Sequence, residues 1–303
     1  MGVLTVSMIL GLISSSIIVM VLCMELMLFT FIFMSFESFS LSQSSVCMKY
    51  MFAQTIGSVS LFVTSMLLVV YMYSSVNMLS TFMLLCGIWL KLGIYPFHFW
   101  VVPVSVGLPF FMLGVLGSPM KVLPLYMLMM MKDLSNGMVM FYGLLVAGGL
   151  SMLIGLFLGL SENSIRGVLG ASSISHGGWF MYSIYSEVVF KYFLLYSFGL
   201  FLVITSLMSG YSPLFCSLSL ISLAGLPPFG VFVGKVLVLS GLFKSLISPI
   251  FAVVALFTSV FSLLYYLKYA FWFLLDKSNR NYKFSYIFLV GVIANLASCT
   301  LLI

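Results

Sequence analysis

Charge is what this sequence has least of. Lysine and arginine number 12, aspartate and glutamate 6, and together they make up 6% of its 303 residues. A soluble domain carries about 25% charged residues, so this chain cannot clothe a water-facing surface. The net charge of +6 is spread thinly rather than gathered in a basic block. Nucleic-acid binding, which needs a contiguous phosphate-tracking face, is thereby excluded, and contact with anionic lipid is the plainer use of the excess. Cysteine is also scarce. Cys23, Cys47, Cys86, Cys216 and Cys299 stand apart with no C-x-x-C spacing, so neither an iron–sulfur or zinc site nor a disulfide framework has local support. A basic leader followed by a small-residue cleavage site is missing as well, and no removable targeting segment is expected.

What fills the chain instead is apolar: 63% hydrophobic residues with a mean hydropathy of +1.27. The relevant unit is a run of about 20 apolar residues, enough to cross a hydrocarbon core of about 30 Å. Polar punctuation divides the sequence into eleven such runs, near 2–14, 16–36, 48–72, 78–100, 108–131, 138–160, 165–184, 189–209, 215–243, 246–274 and 284–302. The separators include Lys132-Asp133-Leu134-Ser135-Asn136-Gly137, Ser161-Glu162-Asn163 and Asp276-Lys277-Ser278-Asn279-Arg280-Asn281. From Gly2 to Phe36 a single helix would run about 50 Å, too long for one crossing, so a turn at Ser14-Ser15-Ser16 is expected. Backbone in lipid must satisfy itself within helices or closed barrels. Barrel strands would alternate in polarity, whereas these runs are apolar on every side. The fold class is therefore all-α: a polytopic transmembrane helix bundle of about eleven helices, read as one transmembrane domain over residues 1–303.

Two runs contain helix breakers where a crossing helix should be continuous. These are Lys91-Leu92-Gly93-Ile94-Tyr95-Pro96-Phe97 and Ala224-Gly225-Leu226-Pro227-Pro228-Phe229-Gly230. Proline removes a donor and clashes with the preceding turn, and freed carbonyls persist in a bilayer only where they face protein or water. Interrupted helices at corresponding places in two halves point to a transport site; a plain proline kink is the alternative.

The charges inside the runs are the second signal. Glu25, Lys91, Lys121, Lys235 and Lys268 interrupt apolar sequence. A central lysine costs about 2.5–3.5 kcal/mol on insertion scales, so several of them must pair, meet water or give up their charge. Desolvation disfavours the ammonium form of any lysine and a carboxylate beside it favours that form. A lysine with a movable carboxylate partner is therefore a proton switch. Arginine cannot serve, because it stays protonated; Arg166 and Arg280 lie at separators. Snorkelling to the headgroups is the alternative for a lysine near a helix end, Lys268 above all. His176, in Ser172-Ser173-Ile174-Ser175-His176-Gly177-Gly178-Trp179, is either a relay or a packed polar residue. His98 follows a helix break and suits a structural hydrogen bond.

These residues also carry a family resemblance. Lys91-Leu92-Gly93-Ile94-Tyr95-Pro96-Phe97-His98-Phe99-Trp100, with Pro103 and Gly107-Leu108-Pro109, resembles the signature of chain 2 of mitochondrial NADH:ubiquinone oxidoreductases. Met120-Lys121-Val122-Leu123-Pro124, Arg166 with Ser172 to Trp179, and Ser222 to Pro228 with Lys235 resemble further blocks of that family in order and spacing. Shorter likenesses extend to Met24-Glu25-Leu26-Met27, Lys49-Tyr50 with Gln54, and Leu264 to Lys268, so the resemblance runs from about residue 20 to 270. Pro119-Met120 departs from the family's tryptophan-glutamine, which predicts a bend near Lys121.

The resemblance implies an antiporter-like, proton-translocating subunit of respiratory complex I in the mitochondrial inner membrane. Its partners would be the other subunits of that complex and membrane lipids. It would bind no cofactor itself, with NADH, flavin, iron–sulfur clusters and ubiquinone on other subunits. Carried over by position, Glu25 and Lys91 form a coupling pair, Lys121 a central relay and Lys235 an exit-side group, with His176 and Lys268 as further candidates. A free-standing cation/proton antiporter of the same fold is the alternative, as is a structural subunit whose lysines are relics. An N-terminus in the matrix puts Lys49, Arg166, Lys277, Arg280 and Lys283 on that side against Lys132, Lys191 and Lys244 on the other, the sense of the positive-inside rule.

Overall fold

A computed structural model describes residues 1–36, 41–70, 78–134, 138–208, 213–227, 229–244 and 249–275. Every regular element among them is a helix: α1 (Gly2–Ile13), α2 (Ile17–Phe36), α3 (Leu41–Val70), α4 (Met78–Leu92), α5 (Val101–Gly107), α6 (Phe110–Gly117), α7 (Pro119–Leu134), α8 (Met138–Ser161), α9 (Ile165–Tyr185), α10 (Val189–Met208), α11 (Pro213–Ala224), α12 (Gly230–Lys244) and α13 (Pro249–Leu275). Among the described residues, six stretches are long and apolar enough to cross a membrane: Ile17–Phe36, Ser44–Leu67, Phe110–Met131, Tyr142–Ser161, Val189–Met208 and Pro249–Leu275. Large apolar side chains face outward along them, Phe33, Phe157 and Ile250 among them. That surface would be untenable in water and is the ordinary one in lipid.

The helices form two compact units, Met1–Ala147 and Gly148–Ile303. In the first, α2 packs against α1, α3 and α7, and α4 against α3 and α7. In the second, α10 packs against α9, α11 and α12, and α13 against α9, α11 and α12. Helix α9 is the innermost of these, buried along most of its length from Gly167 to Tyr185. Its small residues allow this. A Cβ on Gly178 would strike the Gly148 carbonyl, and one on α8's Gly155 would lie 2.7 Å from the Ser175 nitrogen. Such close backbone approach is how membrane helices associate without a hydrophobic drive between them.

The turn at Ser14–Ser16 separates α1 from α2 as expected. The 108–131 run is not one helix but two. Ser118, the residue before Pro119, departs from helical geometry at φ −118° and ψ −82°. Pro119 then opens α7 at the first helical position, where its missing N–H costs nothing. The run expected at 284–302 lies outside the described residues.

Candidate functional site

Both expected interruptions are real, and both are built on a glycine with positive φ. After α4, Gly93 takes φ +70°. Its N–H reaches the Leu90 carbonyl at 3.3 Å while the Ile94 N–H reaches the Trp89 carbonyl at 3.1 Å. This pair of bonds is the Schellman closure, and it needs a left-handed residue at that point. Two side chains add donors here, one to the carbonyl of Lys91 and one that joins Gly93 at the carbonyl of Leu90. Gln54 Nε2 donates to the Lys91 carbonyl at 3.3 Å, and Trp100 Nε1 to the Leu90 carbonyl at 3.1 Å. The chain then runs through Tyr95-Pro96 to α5.

Lys91 occupies the last turn of α4, and its ammonium meets Glu25, from the middle of α2, at 3.3 Å. The lysine side chain is 4% exposed and the carboxylate 24%. The pair is therefore asymmetric: the cation is more fully enclosed than the anion. Beside it lies a cavity of about 20 Å³ whose lining includes Tyr50, Gln54, Lys91, Trp100, Lys121 and Pro124. A water needs roughly 10–15 Å³ and several polar partners, so this space suits one water. Lys121 is 6% exposed and stands just past the Ser118 break, its N–H bonded to the Ser118 carbonyl at 3.1 Å. The first unit thus brings Lys91 and Lys121 to one water-sized space, with Glu25 held behind it as the partner of Lys91.

The second unit is organised differently. Gly225 takes φ +81° after α11, with its N–H 3.3 Å from the Ser222 carbonyl. The open carbonyl of Ala224 is met by a lysine: Lys235 Nζ donates to it at 2.8 Å. The ammonium also lies 5.7 Å from the centre of the Trp179 ring. Cation to helix C-terminus and cation to aromatic face are both favourable in a dry setting. Lys235 is 7% exposed.

His176 is buried at 2% exposure, with Nδ1 2.7 Å from the Tyr192 hydroxyl and its ring tilted at 42° to that of Tyr196, 4.6 Å between centroids. Tyr192 also packs on Trp179, which ties the histidine and Lys235 surroundings into one aromatic cluster. Lys268 stands apart from this cluster. It is exposed near the end of α13, and Nζ donates to Asn163 Oδ1 at 3.5 Å. That is the geometry of a lysine reaching out of the apolar layer. His98 is buried between Tyr95 and Phe99.

Sequence reasoning gave little weight to Gln54 and none to Trp100 as caps, and missed Tyr192 altogether. An amide inside the apolar α3 was a usable signal, because a buried polar group implies a partner. The tyrosine carried none.

Comparison with known proteins agrees with this architecture. Residues 14–262 match the family model described as NADH:quinone oxidoreductase/Mrp antiporter, TM. A NADH-ubiquinone oxidoreductase chain 2 from Albinaria caerulea is 35% identical over 248 residues, covering 81% of this chain and 79% of the relative. Its counterpart from Lumbricus terrestris is 29% identical over 270 residues, 80% and 76% of the two chains. Among solved structures, a chain of respiratory complex I from Thermus thermophilus superposes with a TM-score of 0.82 at 19% identity, over 99% of this chain and 75% of that one. A chain of the Mrp complex from a Dietzia species gives a TM-score of 0.78 at 17% identity, over 88% and 58%. At those identities the structures speak for the fold alone; the family model and the chain 2 relatives carry the assignment. This protein belongs to the NADH:quinone oxidoreductase/Mrp antiporter transmembrane family.

Proposed function

We propose that this chain is a proton-translocating membrane subunit of a mitochondrial NADH:ubiquinone oxidoreductase, seated in the inner membrane among the other subunits of that complex. The observation that carries the reading is an enclosed lysine, Lys91, held by Glu25 at 3.3 Å and lining a water-sized space shared with Lys121. Burying an ion pair is poor value for stability alone, since apolar residues of similar volume do as well or better. Its use is to hold a proton conditionally.

While the Glu25 carboxylate stays at 3.3 Å, the Lys91 ammonium is stabilised. When the carboxylate moves or is neutralised, that support goes and the proton can pass through the adjoining space toward Lys121. Lys121 is the central relay. Lys235 acts beyond it in the second unit, where the Ala224 carbonyl holds the ammonium until a proton leaves. His176 is a further relay candidate through Tyr192. No redox group is assigned to this chain: NADH, flavin, iron–sulfur clusters and ubiquinone are handled by partner subunits, and nucleic acid has no part. Each proton moved against about 100 mV requires about 2.3 kcal/mol, so the energy must come from the electron transfer in those partners.

The test is co-migration of this chain with NADH dehydrogenase activity on native gels of mitochondrial membranes, followed by flux measurements on the purified species. Proton flux that depends on NADH oxidation is the expected result. Cation flux driven by membrane potential alone, with the chain migrating free of NADH dehydrogenase, would instead support a free-standing antiporter.

A further inference from the structure

Helix α13 is longer than a crossing needs. It has 27 residues, from Pro249 to Leu275, where about 20 suffice. Lys268 stands nineteen residues beyond Pro249, a rise of about 29 Å, which brings it to the level where a hydrocarbon layer begun at Pro249 would end. The outward face below it is apolar, with Val253, Val260 and Leu264 exposed. At Lys268 the surface opens into a pocket of about 450 Å³ lined by Asn163, Ile165, Lys268, Tyr269 and Trp272.

The pocket has two kinds of wall. On the polar side, Lys268 Nζ rests 3.5 Å from Asn163 Oδ1 and 5.6 Å from the centre of the Tyr269 ring. On the other side Trp272 is 54% exposed, next to Phe271 at 56%. The floor is fixed, because the Tyr269 hydroxyl donates to the Glu162 carbonyl at 3.2 Å and Ser164 caps the first turn of α9. Two other charged residues are near. Arg166 is half-buried in that first turn, and the Glu162 carboxylate lies against Gly167, where an added Cβ would meet Oε2. The contact the structure gives the Lys268 ammonium is with the neutral amide of Asn163, and Glu162 meets the pocket through its backbone carbonyl at Tyr269.

A cation and an amide beside an exposed indole, at the edge of an apolar layer, match one chemistry. We propose that this pocket binds the headgroup of an anionic phospholipid, its phosphate against Lys268 and Asn163 and its glycerol backbone over Trp272 and Ile165. Basic pockets at this depth favour anionic headgroups, and indole rings settle at the same level. The inference does not depend on the relay described above.

The test uses the purified native complex in nanodiscs of zwitterionic phospholipid doped with a photoactivatable anionic phospholipid. Labelling is mapped by mass spectrometry in the wild type, Lys268→Met and Lys268→Arg. Labelling should centre on residues 163–165 and 268–272, fall about fivefold in Lys268→Met, recover in Lys268→Arg, and persist in excess inorganic phosphate. Equal labelling by a zwitterionic probe, or unchanged labelling in Lys268→Met, would overturn the proposal. So would displacement by inorganic phosphate, which would mark a free-phosphate site, or protection of the pocket by a neighbouring subunit. Should Lys268→Met fail to assemble, Asn163→Leu probes the same phosphate position from the opposite wall, with the same two readings.

Discussion

The two interrupted helices solve the same problem with opposite economies. Each ends on a left-handed glycine, Gly93 or Gly225. In the first unit the exposed carbonyls are covered by neutral donors, Gln54 and Trp100, which leaves the Lys91 ammonium to a carboxylate. In the second unit the lysine is itself the cap, bonded to the Ala224 carbonyl. A lysine held by Glu25 responds to whatever moves or neutralises a carboxylate. A lysine held by a helix end responds only to the geometry of the break. The first arrangement suits a group that receives a signal, the second one that passes a proton on when its surroundings shift.

That contrast can be broken at several points, and the largest expected effect is at the glycines. Gly93→Ala places a Cβ against Val101 and 3.1 Å from the Trp100 ring, in a left-handed conformation. The left-handed conformation costs about 1–2 kcal/mol and overpacking about 1–3 kcal/mol more. Assembly should fall sharply, read as the amount of complex on native gels. Gly225→Ala carries the same backbone cost, but its nearest new neighbour is the movable Lys235 ammonium at 3.1 Å. It should assemble better than Gly93→Ala while displacing the lysine, so pumping should suffer more than abundance.

Next in size is Lys235→Met. Losing the cap leaves the buried Ala224 carbonyl unsatisfied, at about 1–3 kcal/mol, and thermal unfolding of the complex should shift down accordingly. Lys91→Met leaves both carbonyl caps of the first break in place, so any destabilisation there comes from Glu25 left without its ion-pair partner. Equal loss of amide protection in the two variants, by hydrogen exchange at residues 91–94 and at Gly225, Leu226 and Phe229, would contradict the contrast. Smallest is Gln54→Leu, expected to cost about 1 kcal/mol with pumping largely kept. A loss of pumping as deep as that of Lys91→Met would mean that Gln54 contacts the moving proton rather than only capping Lys91.

Much of this contrast could be read before the structure. Gly93, Pro96, Gly225 and the double proline announced both breaks, because their backbone chemistry is local. Glu25, Lys91, Lys121 and Lys235 announced themselves by cost, because charge in apolar sequence is expensive wherever it points. What could not be read was who meets whom. The Lys91–Glu25 bond spans 66 residues, and helices apolar on every side carry no periodicity to say which face turns inward. The pairing came only from the family resemblance. The same blindness hid Tyr192 behind His176 and left Lys268 between interior and rim. The split at Ser118 was half visible: Pro119 predicted a bend, and the local geometry made it a break.

The matrix-side placement of the 276–283 loop is a separate expectation, checked by protease access on intact inner membranes. Cleavage from the matrix side alone is expected, and cleavage from the intermembrane side would invert the orientation.

The central claim is that Glu25 governs Lys91 in proton transfer while electrons travel elsewhere. The most direct measurement compares Glu25→Gln with wild type in the reconstituted complex, following NADH oxidation by an artificial acceptor alongside ubiquinone-linked proton pumping. The account predicts artificial-acceptor oxidation at the wild-type rate with pumping strongly reduced. Full pumping in Glu25→Gln, or lost artificial-acceptor activity in a fully assembled complex, would contradict it.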